Sequence, residues 1–166
     1  MVNRTTATIL VTTFFLTFGT VTNAASCAVP ADQNRIAAEV GQYLNAHRKA
    51  NGLPRLKFDR KVSRSAQNQA CDMSVKGYFS HYGQDGSKPK LRLHRTGCKA
   101  GRVAENIAVG QKDAQEVVQG WMTSPGHRKN MLMQGGIDRF GIGIADSGNA
   151  YSHGNVWVLV LSSKCR

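Results

Sequence analysis

The sequence predicts an α+β fold in which helices pack on a small antiparallel sheet, and three observations predict it. Apolar residues recur at helical spacing in segments between residues 31 and 133. Two apolar, β-branched segments, residues 140–145 and 155–161, follow and are joined by a Gly/Asn-rich hairpin. Helices first and paired strands last is the order of an α+β domain, not of alternating β-α units. Finally, Cys27, Cys71, Cys98 and Cys165 form an even set with no CxxC pair, the pattern of a disulfide-stapled extracellular domain.

Export is also expected from the first residues. Arg4 supplies a positive n-region, residues 9–18 an apolar core, and Thr22, Asn23, Ala24, Ala25 and Ser26 a small-residue stretch suited to cleavage after Ala24 or Ala25. The apolar run is short and Thr-rich for a membrane span, which needs roughly 20 mainly apolar residues. An uncleaved anchor and lipidation at Cys27 are the alternatives; the second would leave three thiols, an odd number. The expected organisation is a secretory signal at 1–25, a short lead at 26–35 and one domain at 36–166. The roughly 140 residues after the signal suffice for one core and leave little room for a second.

Along the mature chain, residues 31–51 read as a helix with Asp32 at its N-cap and Ile36, Val40, Tyr43, Leu44 and His47 at helical spacing. Asn51, Gly52 and Pro54 end it, and Leu56 and Phe58 are short buried anchors. A second helix opens at Asp59, with Val62, Ala66, Gln69, Ala70 and Met73 inward and Gly77 at C′. Residues 79–110 read as irregular. A third helix starts near Asp113, which forms a capping-box-like pair with Glu116. Val117, Val118, Trp121 and Met122 make its apolar stripe, Ser124, Pro125 and Gly126 interrupt it, and a helical turn covers residues 127–133. Gly141 and Gly143 read as points of close packing against a strand. Four cysteines allow three connectivities. Cys27–Cys165 with Cys71–Cys98 is preferred, because it ties the termini together and staples the middle.

Four motifs in register carry a family resemblance. Phe79-Ser80-His81, Ala104-Glu105-Asn106-Ile107-Ala108, Trp121 through Ser124-Pro125-Gly126-His127 to Asn130, and Phe140-Gly141-Ile142-Gly143 occur in the order and spacing of the CAP superfamily. That family comprises cysteine-rich secretory, antigen 5 and pathogenesis-related 1 proteins, and the terse spacing resembles its bacterial SCP-like extracellular branch. Leu44-Asn45-Ala46-His47-Arg48 and Gly52-Leu53-Pro54-Arg55-Leu56 fit as well. The resemblance implies an α-β-α sandwich with a cleft holding two histidines and two acids. By motif the histidines are His81 and His127 and the first acid is Glu105. The second acid's position is taken by Ser124, which removes one carboxylate.

Two imidazoles suit zinc or another divalent ion. The resemblance makes His81 and His127 the metal pair, with Glu105 as a third ligand or as the group that orients one ring. These three are equally the candidate catalytic residues. Hydrolase signals are otherwise sparse: there is no Gly-x-Ser-x-Gly elbow and no His-Glu-x-x-His helix. Glycosidase chemistry needs two carboxylates on one cleft, and no spacing places Asp72 or Asp85 there. Trp121 reads as core, Asn106 and Asn130 as bonded to loop backbone, Arg128 as solvated, and His47, His94 and His153 as surface residues.

The chain carries a formal net charge of +12, which drops by one with Arg4. Lys88, Lys90, Arg92, Arg95, Lys99 and Arg102 crowd one stretch and read by default as a solvated, solubilising loop. Functionally they would attract an anionic envelope lipid or glycan. Nucleic acid would be attracted only nonspecifically, since no nucleic-acid motif is present. Three function classes remain: a noncatalytic extracellular binding module, which is preferred; a metal-dependent extracellular hydrolase; and a structural or signalling surface protein.

Overall fold

The computed structural model describes residues 26–147 and 154–166; the expected signal, the hairpin tip and His153 lie outside the described residues. The elements are α1 (Gln33–Ala50), β1 (Lys57–Phe58), α2 (Arg60–Lys76), α3 (Pro89–Arg95), β2 (Val103–Val109), α4 (Ala114–Thr123), α5 (Pro125–Met131), β3 (Arg139–Asp146) and β4 (Asn155–Ser162). The sheet order is β1-β3-β4-β2. The three long strands are antiparallel, and the two-residue β1 adds a parallel pairing to β3.

Strand alternation divides the core into two layers. From β4, Trp157, Leu159 and Leu161 face α1, α4 and α5, meeting Val40, Leu44, Val117, Trp121 and Met131. Val156, Val158 and Val160 face α2 and α3, meeting Val62, Ala66, Ala70, Met73 and Leu93. The result is the expected α-β-α sandwich, with β4 buried on both faces as a central strand. Helix α2 lies so close to β3 that a Cβ on Gly141 would stand 2.1 Å from Ser63 N, and one on Gly143 2.3 Å from the Ala66 carbonyl carbon. Only glycine permits that approach.

The helix signals hold in detail. Asp59 caps α2 by accepting from the Lys61 and Val62 amides, all five residues expected to face inward are buried, and Gly77 ends the helix in the left-handed region at φ 65°. Asp113 accepts from the Glu116 amide while Glu116 accepts from Lys112 N, a reciprocal cap. Asp32 stands at the N-cap of α1 without a capping bond and pairs with Arg35 instead.

Four expectations need correction. Leu56 is a buried anchor but Phe58 is not: its ring is 51% exposed, because it sits on the edge strand β1 and meets the core only edge-on, against Phe140. Residues 79–110 are not irregular throughout: α3 and the whole of β2 lie there. On α1, Tyr43 is 37% exposed, whereas Asn45 and Arg48 are buried. Asn45 exchanges two hydrogen bonds with the Leu56 backbone. Arg48 donates from Nη1 to Met131 O and Met133 O and from Nε to Pro54 O, so polar partners distant in sequence draw the buried face of the helix away from Tyr43. Finally, the disulfides are Cys27–Cys71 and Cys98–Cys165. The β2–β4 register explains the second, since Val103 is opposite Ser162 and the start of β2 therefore lies beside the end of β4. The N-terminal lead runs elsewhere, its Ala28 carbonyl accepting from Asp146 N at the far end of β3, within reach of Cys71 on α2. Among the described residues no cysteine is free, and no helix is long and apolar enough to cross a membrane.

Candidate functional site

The site lies along β2, the edge strand opposite β1. Glu105 points to the α2/α3 side, and its side chain is only 2% exposed. A carboxylate so placed requires compensation, and Arg92 of α3 supplies it: Nη2 donates to Glu105 Oε2 at 2.7 Å, and the Arg92 side chain is itself 8% exposed. The same guanidinium donates from Nη1 to His81 O at 3.0 Å and Ser87 O at 2.6 Å. One arginine thus holds both the acid and the loop that carries His81.

That loop is fastened from below as well. Buried Gln69 of α2 donates to Ser80 O and to the Tyr78 hydroxyl, and Tyr78 donates in turn to Asp72. Burial and the Asp72 carboxylate push the Tyr78 hydroxyl up to about 12. Asp85 accepts from Ser87 N and pairs with Arg95 at 2.5 Å; these bonds hold its carboxyl below the usual range. So fixed, His81 presents Nδ1 to Glu105 Oε1 at 3.0 Å. A carboxylate accepting from Arg92 on one oxygen and His81 on the other places the proton of the neutral ring on Nδ1 and leaves Nε2 free.

His127 comes from the other side, on α5. Asn106, fully buried on β2, donates to His127 O at 3.1 Å, and Asn130 donates to Asn106 Oδ1 at 2.9 Å and to Glu105 O at 3.3 Å. Asn106 and Asn130 are therefore bonded to backbone, as expected, and their role is to bolt α5 to the sheet edge. Arg48 holds the other end of α5 through Met131 O. Burial holds the His127 imidazole below its ordinary value, and the nearby His81 adds to that depression.

Of the expected residues, His81 and Glu105 are in direct contact, while His127 is held beside them through its backbone carbonyl and Asn106. Both Glu105 oxygens are occupied, so the geometry fits the orienting role and not the ligand role. Among the described residues no group of three or more His, Cys, Asp or Glu side chains could hold a metal ion. Ser124 makes no capping bond to α5 and provides no second acid. Asp72 pairs with Lys76 and Asp85 with Arg95, so neither replaces it. No Ser or Thr among the described residues hydrogen-bonds to either imidazole, and all four cysteines are oxidised.

Sequence reasoning missed Arg92, which it grouped with the solvated cations. The local signal is faint: Leu91 and Leu93 flank it, and only its position on α3 turns it inward. Of the remaining five cations in that stretch, Lys90 donates to Gly101 O, Arg102 to Gly135 O, and Arg95 pairs with Asp85. His94 is half-buried, its Nε2 3.3 Å from Ala100 O.

Comparison with known proteins agrees with this architecture. The profile of the cysteine-rich secretory protein (CAP) family matches residues 42–161. The chain is 35% identical over 131 residues to the Bacillus subtilis (strain 168) protein YkwD, covering 79% of this chain and half of that one. Among solved structures it resembles an SCP-domain extracellular protein of Bacillus anthracis str. Ames, with a TM-score of 0.70, 26% identity, and coverage of 82% of this chain and 44% of that one. An outer surface protein of Borrelia burgdorferi shares the fold at a TM-score of 0.72 and 17% identity, over 84% of this chain and 99% of that one. Because that profile match spans well over half of the chain, the chain belongs to the cysteine-rich secretory protein (CAP) family.

Proposed function

We propose that this is a secreted, noncatalytic binding module whose β2-edge cleft engages an anionic envelope component, lipid or glycan. The single observation that carries the reading is the commitment of Glu105. The one family-matched carboxylate of the cleft is buried, neutralised by Arg92 and bonded to His81, so it shapes a surface and is not poised to exchange protons with a substrate. The loop that carries His81 and the neighbouring α3 suit adhesion: Phe79, Tyr82 and Leu91 are 44%, 56% and 48% exposed, and the Lys88 ammonium stands 6.0 Å from the Tyr82 ring centre. Secretion is supported by the two disulfides and by the extracellular relative from Bacillus anthracis.

The test is a binding array of anionic and neutral vesicles and glycans, at low and high salt, against the oxidised protein. Binding to anionic probes that weakens on substitution of Tyr82→Ala or Lys88→Gln supports the reading; salt-insensitive absence of binding overturns it. The nearness of His81, which adds to the depression of His127, favours one second reading, a divalent-ion site served by two imidazoles, as a metal-dependent hydrolase would need. Zinc titration by calorimetry separates the two, because equal affinity for wild type and His81→Ala/His127→Ala removes the metal site. Hydrolysis lost in His127→Ala would favour the enzyme.

A further inference from the structure

The opposite edge of the sheet carries a second feature, independent of the cleft. Beyond the two residues paired with β1, the outer edge of β3 meets no strand among the described residues. Its backbone groups are taken up by α2: Ser63 donates to Ile142 O, and Gln67 exchanges two hydrogen bonds with Ile144. A groove of about 370 Å³ runs beside this capped edge, between the N-terminal turns of α1 and α2, with Ile142 and Ile144 among its lining. Its walls present Gln33, Asn34, Phe58, Arg60, Arg64 and Asn68.

Three properties define what fits. First, the lining includes no acidic residue, and among the described residues neither Arg60 nor Arg64 forms an ion pair or a side-chain hydrogen bond. The two guanidiniums stand one turn apart on a single face of α2, so the groove attracts an anion. The nearest carboxylate in sequence, Asp59, is occupied capping α2. Second, the amides of Gln33, Asn34 and Asn68 make no side-chain hydrogen bonds among the described residues, leaving donors and acceptors for hydroxyl groups. Third, the Phe58 ring is 51% exposed yet fixed edge-on against Phe140, with centroids 5.8 Å apart, a rigid apolar platform. An extended peptide cannot add to β3 as a strand, because Ser63 and Gln67 already occupy its edge. An acyl chain would bury amides and guanidiniums without partners.

We propose that this groove binds a uronate-bearing saccharide, with the carboxylate on the Arg60/Arg64 pair, hydroxyls on the amides and the sugar ring against Phe58. A guanidinium's planar fork matches a carboxylate in two parallel hydrogen bonds.

The test is calorimetric titration of the oxidised full chain with hexagalacturonate, with its uncharged methyl ester, and with phosphatidylglycerol vesicles. Affinity for hexagalacturonate should fall about tenfold or more in Arg60→Gln/Arg64→Gln and severalfold in Phe58→Ala. It should be unchanged in His81→Ala/His127→Ala, which alters the cleft, and in Lys90→Gln/Lys99→Gln, which removes two charges without touching the groove lining. The altered Arg, Phe and Lys side chains are exposed and His127 is half-buried; a cooperative thermal melt verifies the fold of each variant. Equal binding of acid and ester overturns the proposal, as does an equal loss from Lys90→Gln/Lys99→Gln, which would mean attraction by net charge alone. Failure to bind hexagalacturonate, or Arg60/Arg64-dependent binding of vesicles in its place, likewise overturns it. Loss in the histidine variants would assign the saccharide to the cleft instead.

Discussion

At one edge of the sheet, β2 turns the carbonyls of Glu105 and Ile107 outward, to Asn130 and to the Trp121 indole N–H. At the other, β3 turns Ile142 and Ile144 outward, to Ser63 and Gln67. Both edges are thus closed by helix side chains and not by further strands, which blocks edge-to-edge pairing. They differ in where the charge goes. At the β2 edge the acid, Glu105, is buried and held by Arg92, an equally buried arginine from a third element, and the exposed cation beside it, Lys88, stands over the Tyr82 ring. At the β3 edge the arginines are exposed and, among the described residues, unpaired. The first arrangement fixes a surface, and the second leaves charge available to a ligand.

The largest effect should come from breaking that internal pairing. Arg92→Met leaves the Glu105 carboxylate buried with only His81 and frees the 79–88 loop from two of its bonds. Glu105→Gln leaves the guanidinium buried without a counter-charge. Each should cost about 3–5 kcal/mol in chemical denaturation, with the double variant costing less than the sum. Arg60→Gln/Arg64→Gln at the opposite edge should change stability by less than about 0.5 kcal/mol. Comparable losses at the two edges would refute the contrast.

That contrast also explains what could be read from the sequence. Elements whose stabilising contacts are local or periodic were legible: the apolar face of α2, the Asp59 and Asp113 caps, and the apolar runs of β3 and β4. The close-packing role of Gly141 and Gly143 was legible too. Strand β2 was not, because its centre, Glu105 and Asn106, is polar and buried, and the partners that permit this come from α3 and α5. Arg92 looked like a solvated cation for the same reason, and Arg48 gave no sign that the distant Met131 and Met133 carbonyls receive it. The disulfide pairing depends on the β2–β4 register, so missing the strand meant missing the pairing. His81, Glu105 and His127 were found through family motifs; no local pattern places them together. The Arg60/Arg64 groove escaped because its features come from three separate segments.

An intermediate effect compares the two edge caps directly. Gln67→Ala removes both bonds to Ile144, and Asn130→Ala removes those to Glu105 O and Asn106. Each should cost about 1–3 kcal/mol, since buried backbone or amide groups lose partners. Their functional consequences should diverge. Asn130→Ala loosens α5 and with it His127, so binding at the cleft should weaken while the groove keeps its affinity. Gln67→Ala should leave the cleft intact and, by opening the β3 edge, raise aggregation on heating, measured by light scattering. Equal effects of the two variants on cleft binding would show that α5 is not positioned by this cap.

The smallest effect is a pH dependence confined to the β2 edge. His127 has its folded-state affinity for protons lowered, first by burial and then by the adjacent His81. As pH falls through the ordinary histidine value of about 6.5, the unfolded chain therefore takes up this proton before the folded one does. Protonation then favours unfolding, so the contribution of His127 is full above that value and declines as pH falls toward the lowered one. Denaturation midpoints measured between pH 7.5 and 5 should decline with a component that His127→Gln removes. His81→Gln should reduce that component without abolishing it, because burial, the larger cause, remains. Arg60→Gln/Arg64→Gln should leave the profile unchanged, since no histidine lines that groove. A profile insensitive to His127→Gln would mean that the ring is solvated in both states and that α5 does not hold it against the edge.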